Sequence, residues 1–253
     1  MKRWIALLLL MAPAAYTPAA HAQDGPDIET QAVQIAMKSA EFLASRDAFS
    51  FGWFVSYDEV SDSGAKITYV RSGTTSMVRS KGFVSHTESG DTYRDYYWNG
   101  ETFSVVSPNE EFYSSAEFKG DFDSLVEAVE NGSGTVLPMW SMMSKNLPKV
   151  LMLEVEQATY LGTSLVAGQS AHHLLFSEQE EDWQLWISTN EEEPWPLMLV
   201  GTEKTIEGQP QYRVHMVDWD VTPEPVNFTY EPDDGAVRVI FPGNALIAGS
   251  ASE

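Results

Sequence analysis

The chain contains no cysteine in its 253 residues. It can form no disulfide, offers no thiol nucleophile or thiolate metal ligand, and has no thiol to which a lipid could be attached. Basic residues are scarce: 15 Lys and Arg stand against 37 Asp and Glu, a formal net charge of −22. Such a chain repels nucleic-acid phosphates and anionic membrane surfaces, and no basic stripe offsets the repulsion. After the first few residues there is no run of ~18 or more apolar residues, so no later segment reads as a membrane span. Catalytic signatures are missing too. No G-x-S-x-G elbow occurs, no glycine loop cradles a phosphate, and no acidic run has calcium-loop spacing. The acidic clusters Glu178-Gln179-Glu180-Glu181-Asp182, Glu191-Glu192-Glu193 and Asp233-Asp234 therefore read as solvated loops.

The clearest feature present is an amino-terminal export signal. Lys2 and Arg3 start it, Trp4 to Met11 form its apolar centre, and Ala20-His21-Ala22 is an A-x-A cleavage site. Cleavage after Ala22 leaves residues 23–253, expected to be one soluble periplasmic domain and a monomer. Lys2 and Arg3 leave with the signal, so the net charge moves from −22 to −24. A chain of this length buries roughly 70% of its unfolded surface, which suffices for a core without disulfides.

Periodicity sets the expected elements. Ile28, Ala32, Ile35, Ala36, Ser39, Ala40 and Leu43 recur at three- and four-residue spacings, predicting a helix from Ile28 to about Ser45 capped by Asp27. Phe49, Phe51, Trp53, Val55 and Tyr57 then alternate with smaller or polar residues, the period of a half-buried strand. Further strands are expected over 67–70, 76–79, 92–98 and 102–106, with Asn99-Gly100 as a two-residue hairpin turn. A helical middle follows: 121–129, closed by Asn131-Gly132-Ser133-Gly134, then 136–145, broken at Leu147-Pro148. Strands resume at 160–163, 172–176, 183–187, 195–200 and 212–219, and 237–241 is expected to close the sheet before a frayed tail at 249–253. Strand runs with segregated helices predict an α+β fold, in which one long twisted antiparallel sheet can curl around the helices and, half closed, leave a concave apolar interior.

Candidate chemistry is thin. His172 and His173 are adjacent, so on a strand they face opposite sides and are poorly placed to share one metal, which leaves a mixed site with Glu178 or Asp182 as the alternative to one packed and one solvated histidine. An enzyme would need one of them to meet a carboxylate in a cleft. No metal or cofactor is implied. Met139, Trp140, Met142 and Met143 cluster in the helical middle. Methionine adapts to varied apolar partners, so this cluster reads either as the wall of a lipid-sized cavity or as a plug filling the core. The two readings differ in whether space remains.

Several ordered blocks carry a family resemblance: Tyr57-Asp58-Glu59-Val60, Tyr96-Tyr97-Trp98-Asn99-Gly100-Glu101-Thr102, Tyr160-Leu161-Gly162-Thr163, and Asp182-Trp183-Gln184-Leu185-Trp186-Ile187. Through these the chain resembles the predicted periplasmic proteins of domain of unknown function 2092. That family is similar in fold to the lipoprotein-localisation factors LolA and LolB and to the amino-terminal domain of the envelope-stress regulator RseB. The resemblance implies an unclosed antiparallel β-barrel with helices covering its concave face, in agreement with the half-closed sheet expected from the pattern, and with a hollow that lipoprotein carriers use to shield acyl chains. The missing lipobox cysteine argues against a membrane-anchored receptor such as LolB. The expected function is non-enzymatic binding of a lipid, acyl chain or lipoprotein, a ~14-carbon chain gaining about 0.8 kcal/mol per buried methylene. Phe51, Trp53, Trp183, Leu185 and Ile187 are expected as sheet-side wall residues, with Met139, Trp140 and Met143 opposite. The alternative is a periplasmic protein-interaction or envelope-sensing module without bound lipid.

Overall fold

A computed structural model describes residues 27–133 and 138–240. The export signal with its cleavage site, Gly134, Val136, Phe241 and the tail at 249–253 lie outside the described residues. Twelve strands form one sheet in the order β12-β6-β5-β4-β3-β2-β1-β11-β10-β9-β8-β7. Neighbouring strands run antiparallel except at β12, and among the described residues the two edge strands, β12 and β7, do not pair, so the barrel stays open.

Helix α1 (Thr30–Ala44) precedes β1 (Ala48–Val60), β2 (Lys66–Val78), β3 (Gly82–Ser89), β4 (Thr92–Trp98), β5 (Thr102–Ser107) and β6 (Phe112–Glu117). The middle carries α2 (Phe122–Ser133), α3 (Pro138–Met142) and α4 (Leu147–Val150). Strands β7 (Gln157–Val166), β8 (Gln169–Ser177), β9 (Glu181–Ser188), β10 (Pro196–Glu203), β11 (Gln211–Asp220) and β12 (Val237–Arg238) follow. The helices pack on the concave face, where alternate residues of the central strands supply the core: Phe49, Phe51, Trp53 and Val55 from β1, Val214 and Met216 from β11.

Six local expectations are corrected. The first helix starts at Thr30, not Ile28: Asp27 O accepts Ala158 N–H, and Ile28 bridges to Ala158, so these residues extend the edge of β7 instead. Glu29 stands at the cap position, but its carboxylate accepts the Tyr160 N–H at 2.8 Å rather than capping the helix. The segments at 67–70 and 76–79 are parts of a single 13-residue strand, β2, paired with β1 along its whole length. The β4–β5 turn is not a two-residue hairpin: Gly100 has φ 87° but Asn99 does not enter that region, and Asn99 Oδ1 accepts the N–H groups of Glu101 and Thr102. That side chain builds the turn that a second left-handed residue would otherwise have made. Finally, β12 adds to the β6 edge in parallel and leaves the sheet open. Pro148 also opens α4 near its first position, where a missing N–H costs nothing.

One irregularity shapes the concave face. Between the pairs Ser50↔Asp220 and Gly52↔Val217, two residues of β11 stand opposite one of β1, a β-bulge with Asp218 at φ 53°. The bulge reverses the alternation and turns Trp219 inward. Its ring stacks on Phe51 at 4.2 Å and on Trp195 at 4.6 Å, and Trp195 meets Phe42 of α1 edge-on at 4.6 Å. This aromatic ladder fastens α1 to the sheet.

Candidate functional site: an apolar cavity under the helices

Between α1 and strands β9–β10 the packing is incomplete. A cavity of about 230 Å³ opens there. Ala36, Ser39, Ala40 and Leu43 of α1 form one wall, and Met142, Leu147 and Leu151 from the α3–α4 region another. Trp183, Leu185, Pro196 and Leu199 form the sheet side. Helix α1 turns its smallest residues to the sheet here: Ala36 is fully buried and Ala40 is 3% exposed, and both line the cavity. Ser39 satisfies its hydroxyl by donating to Pro194 O at 2.6 Å, which ties the helix to the β9–β10 loop.

One end of the cavity is polar. Glu178 and Glu181 line it, and the Trp183 indole N–H donates to Glu178 Oε1 at 2.6 Å. The Glu181 carboxylate lies over Gly201, which leaves no room for a Cβ there. Burial, then the like charges of Glu203, Glu178 and Asp182, push the Glu181 carboxyl up to about 7. Lys204 balances part of this charge, with Nζ 2.9 Å from Asp182 Oδ1 and further bonds to Ser177 Oγ and Glu178 O.

The expected wall residues separate into two groups. Trp183 and Leu185 line the cavity. Ile187, on the same strand, is fully buried in the small core shared by α1, β8 and β9. Phe51, Trp53, Met139, Trp140 and Met143 belong to the larger core. There Trp53 donates its indole N–H to Thr75 Oγ1 at 3.1 Å, and Trp140 packs edge-on against Phe83 at 5.0 Å and Tyr96 at 5.4 Å. Of the methionine cluster, Met142 is the member that faces the cavity. Sequence reasoning missed Ala36, Ala40, Pro196 and Leu199 as lining residues. The alanine stripe was visible, but a small residue gives the same signal whether it faces a neighbour or a void.

The histidines go elsewhere. His172 Nδ1 lies 3.0 Å from the Tyr160 hydroxyl, and His173 Nε2 lies 2.9 Å from Gln184 Oε1 with its ring stacked on Trp186. His86 pairs with Asp95 at 3.0 Å, and the hydrogen bond to that carboxylate raises its pKa. Among the described residues no group of three or more His, Asp or Glu could hold a metal ion, and no helix is long and apolar enough to cross a membrane.

An open antiparallel sheet with helices over its concave face and an apolar hollow between them defines the fold and the candidate site. The chain belongs to the family described as "Predicted periplasmic protein (DUF2092)", which matches residues 32–242. Among solved structures, LprF from Mycobacterium bovis superposes with a TM-score of 0.50 at 12% identity, over 82% of this chain and 99% of that one. Lipoprotein LppX from Mycobacterium tuberculosis gives 0.45 at 12% identity, over 79% and 100% of the two chains. A LolA superfamily protein from Nitrosomonas europaea gives 0.32 at 11% identity, over 77% and 94%. At such identities the likeness is one of fold. No curated protein matches the sequence.

Proposed function

We propose that this protein is a non-enzymatic periplasmic binding protein for an apolar ligand, the acyl chain of a lipid or lipoprotein, seated between α1, α3, α4 and strands β9–β10. The observation that carries the reading is the apolar cavity of about 230 Å³ beneath the helices of the concave face. Ligand sites usually offer ~300–1,000 Å³, so this one takes part of a chain at rest. Each buried methylene contributes about 0.8 kcal/mol, so a longer chain gains by pushing the covering elements aside. Those elements are short: α3 has five residues and α4 four. Met142, unbranched and adaptable, is the side chain that yields first. Export to the periplasm by a signal cleaved after Ala22, and a single domain over 23–253, belong to the same reading.

Native mass spectrometry of the protein purified from its own periplasm tests it, with lipid analysis of the same sample. The expected result is a stoichiometric acylated species released on denaturation and reduced by the cavity-filling pair Ala40→Leu and Leu199→Phe. A clean apo mass, or an adduct indifferent to that pair, overturns it.

A second reading rests on the opposite face. Phe54 is 58% and Val70 66% exposed, and with His215 and Glu88 they border a hollow of about 450 Å³. Exposed apolar side chains around a hollow suit a protein partner. Loss of a cross-linked periplasmic partner on Phe54→Ser, with the acyl adduct unchanged, would favour this reading.

A further inference from the structure

The concave face carries a second group of side chains that the cavity does not use. Leu185, Leu199, Val214 and Val55 are successive register partners on β9, β10, β11 and β1, and the next partner, on β2, is Arg71. Three strand spacings of ~4.8 Å separate Arg71 from Leu199 at the cavity's sheet side, about 14 Å across the sheet. An apolar row thus ends on a cation.

Arg71 is held in place by aromatic side chains. Its Nη2 donates to the Tyr57 hydroxyl at 2.8 Å, its Cζ lies 5.1 Å from the centre of that ring, and Tyr57 stacks on Tyr69 at 5.5 Å. Among the described residues Arg71 makes no ion pair, in a chain with 37 acidic and 15 basic residues. A guanidinium has five N–H donors, so most of this fork has no protein partner among the described residues.

Tyr212 is the register partner of Tyr57 across β1 and β11, and the Arg71 charge opposes the rise that burial imposes on the hydroxyls of Tyr212 and Tyr96. Burial keeps both phenols protonated, as donors. A fixed guanidinium flanked by neutral phenol donors, at the edge of an apolar surface, suits a carboxylate or phosphate.

We propose that this end of the concave face is an anion site, in which Arg71, braced by Tyr57 and flanked by Tyr212, holds the phosphate or carboxylate head of an amphiphile whose apolar part displaces the core side chains that cover Val55 and Val214 and reaches the cavity past Leu199. The apolar half of this assignment rests on the function proposed above; the anion half does not. Glu178 and Glu181, on the β9 side of the same face, repel an anionic head and so set the ligand's direction.

Isothermal titration calorimetry tests the assignment with dodecyl phosphate, the neutral dodecyl maltoside and inorganic phosphate, each amphiphile below its micelle concentration. Arg71→Gln is expected to weaken dodecyl phosphate by about 10–100-fold, the range for losing a charged hydrogen-bond donor, and to leave dodecyl maltoside unchanged. Arg71→Lys should recover part of the loss. Equal binding of dodecyl phosphate by the wild type and Arg71→Gln overturns the anion site, while dodecyl maltoside binding in the same titrations keeps the cavity reading. Arg71-dependent binding of inorganic phosphate without either amphiphile supports the anion site with a free anion as its ligand, and removes the apolar reading. No binding of any probe overturns both.

Discussion

Glu181 gives the molecule a pH signature. Its folded pKa, about 7, lies above the ordinary glutamate value of 4.5, so the folded protein holds a proton that the unfolded chain releases in that interval. The stability from this group is full below 4.5 and is lost as pH rises through about 7. Glu181→Gln should flatten that part of the profile and raise the urea midpoint at ~pH 8 relative to wild type. Unchanged profiles would place the proton elsewhere. Ala167, in the β7–β8 hairpin turn, sits at φ 48°, where its Cβ is strained. Ala167→Gly should stabilise by about 0.5–1 kcal/mol in urea denaturation, since glycine adopts that region freely. At this scale the sequence was partly legible. Trp183 and Leu185 stand out by strict alternation, and both reach the cavity. Arg71 did not stand out, because one arginine in a strand looks the same whether or not an acid lies across from it.

At the scale of elements, Arg79 joins the two halves of the helical cover. Its guanidinium donates to Arg46 O and Met143 O at 2.8 Å and to Leu43 O at 3.2 Å, and lies over the Phe49 ring. Three backbone carbonyls near the ends of α1 and α3 thus share one cation. Arg79→Ala strands them, and should cost about 2–4 kcal/mol in chemical denaturation. Met143, 1% exposed beside this clamp, is a core residue: Met143→Ala should cost about 2–4 kcal/mol through the void it leaves. Most strands were legible from alternation, and α1 from its stripe of small residues. Strand β3 was not, because Gly82 to Ser85 are all buried and the period of two disappears. The Asn99 turn was misread because its side-chain hydrogen bonds replace a backbone preference.

For the whole molecule, self-repulsion is the dominant long-range effect, with a net charge of −22. Added salt screens charges farther apart than ~10 Å at 0.1 M and less at higher concentration. The melting temperature should therefore rise between low salt and ~0.5 M sodium chloride; a fall would show that local ion pairs outweigh the net charge. Composition and periodicity determine much here: the absence of disulfides, the acidic surface, the strand-rich α+β class, and a concave apolar face that helices must cover. These are sums and repeats along the chain, which need no knowledge of contacts. Only the tertiary structure decides where that face is full and where it is hollow. Trp140 and Met143 fill one half, while Ala36 and Ala40 leave space in the other. A void is set by how far opposing side chains fall short of one another across distant elements, and a one-dimensional pattern cannot record that distance.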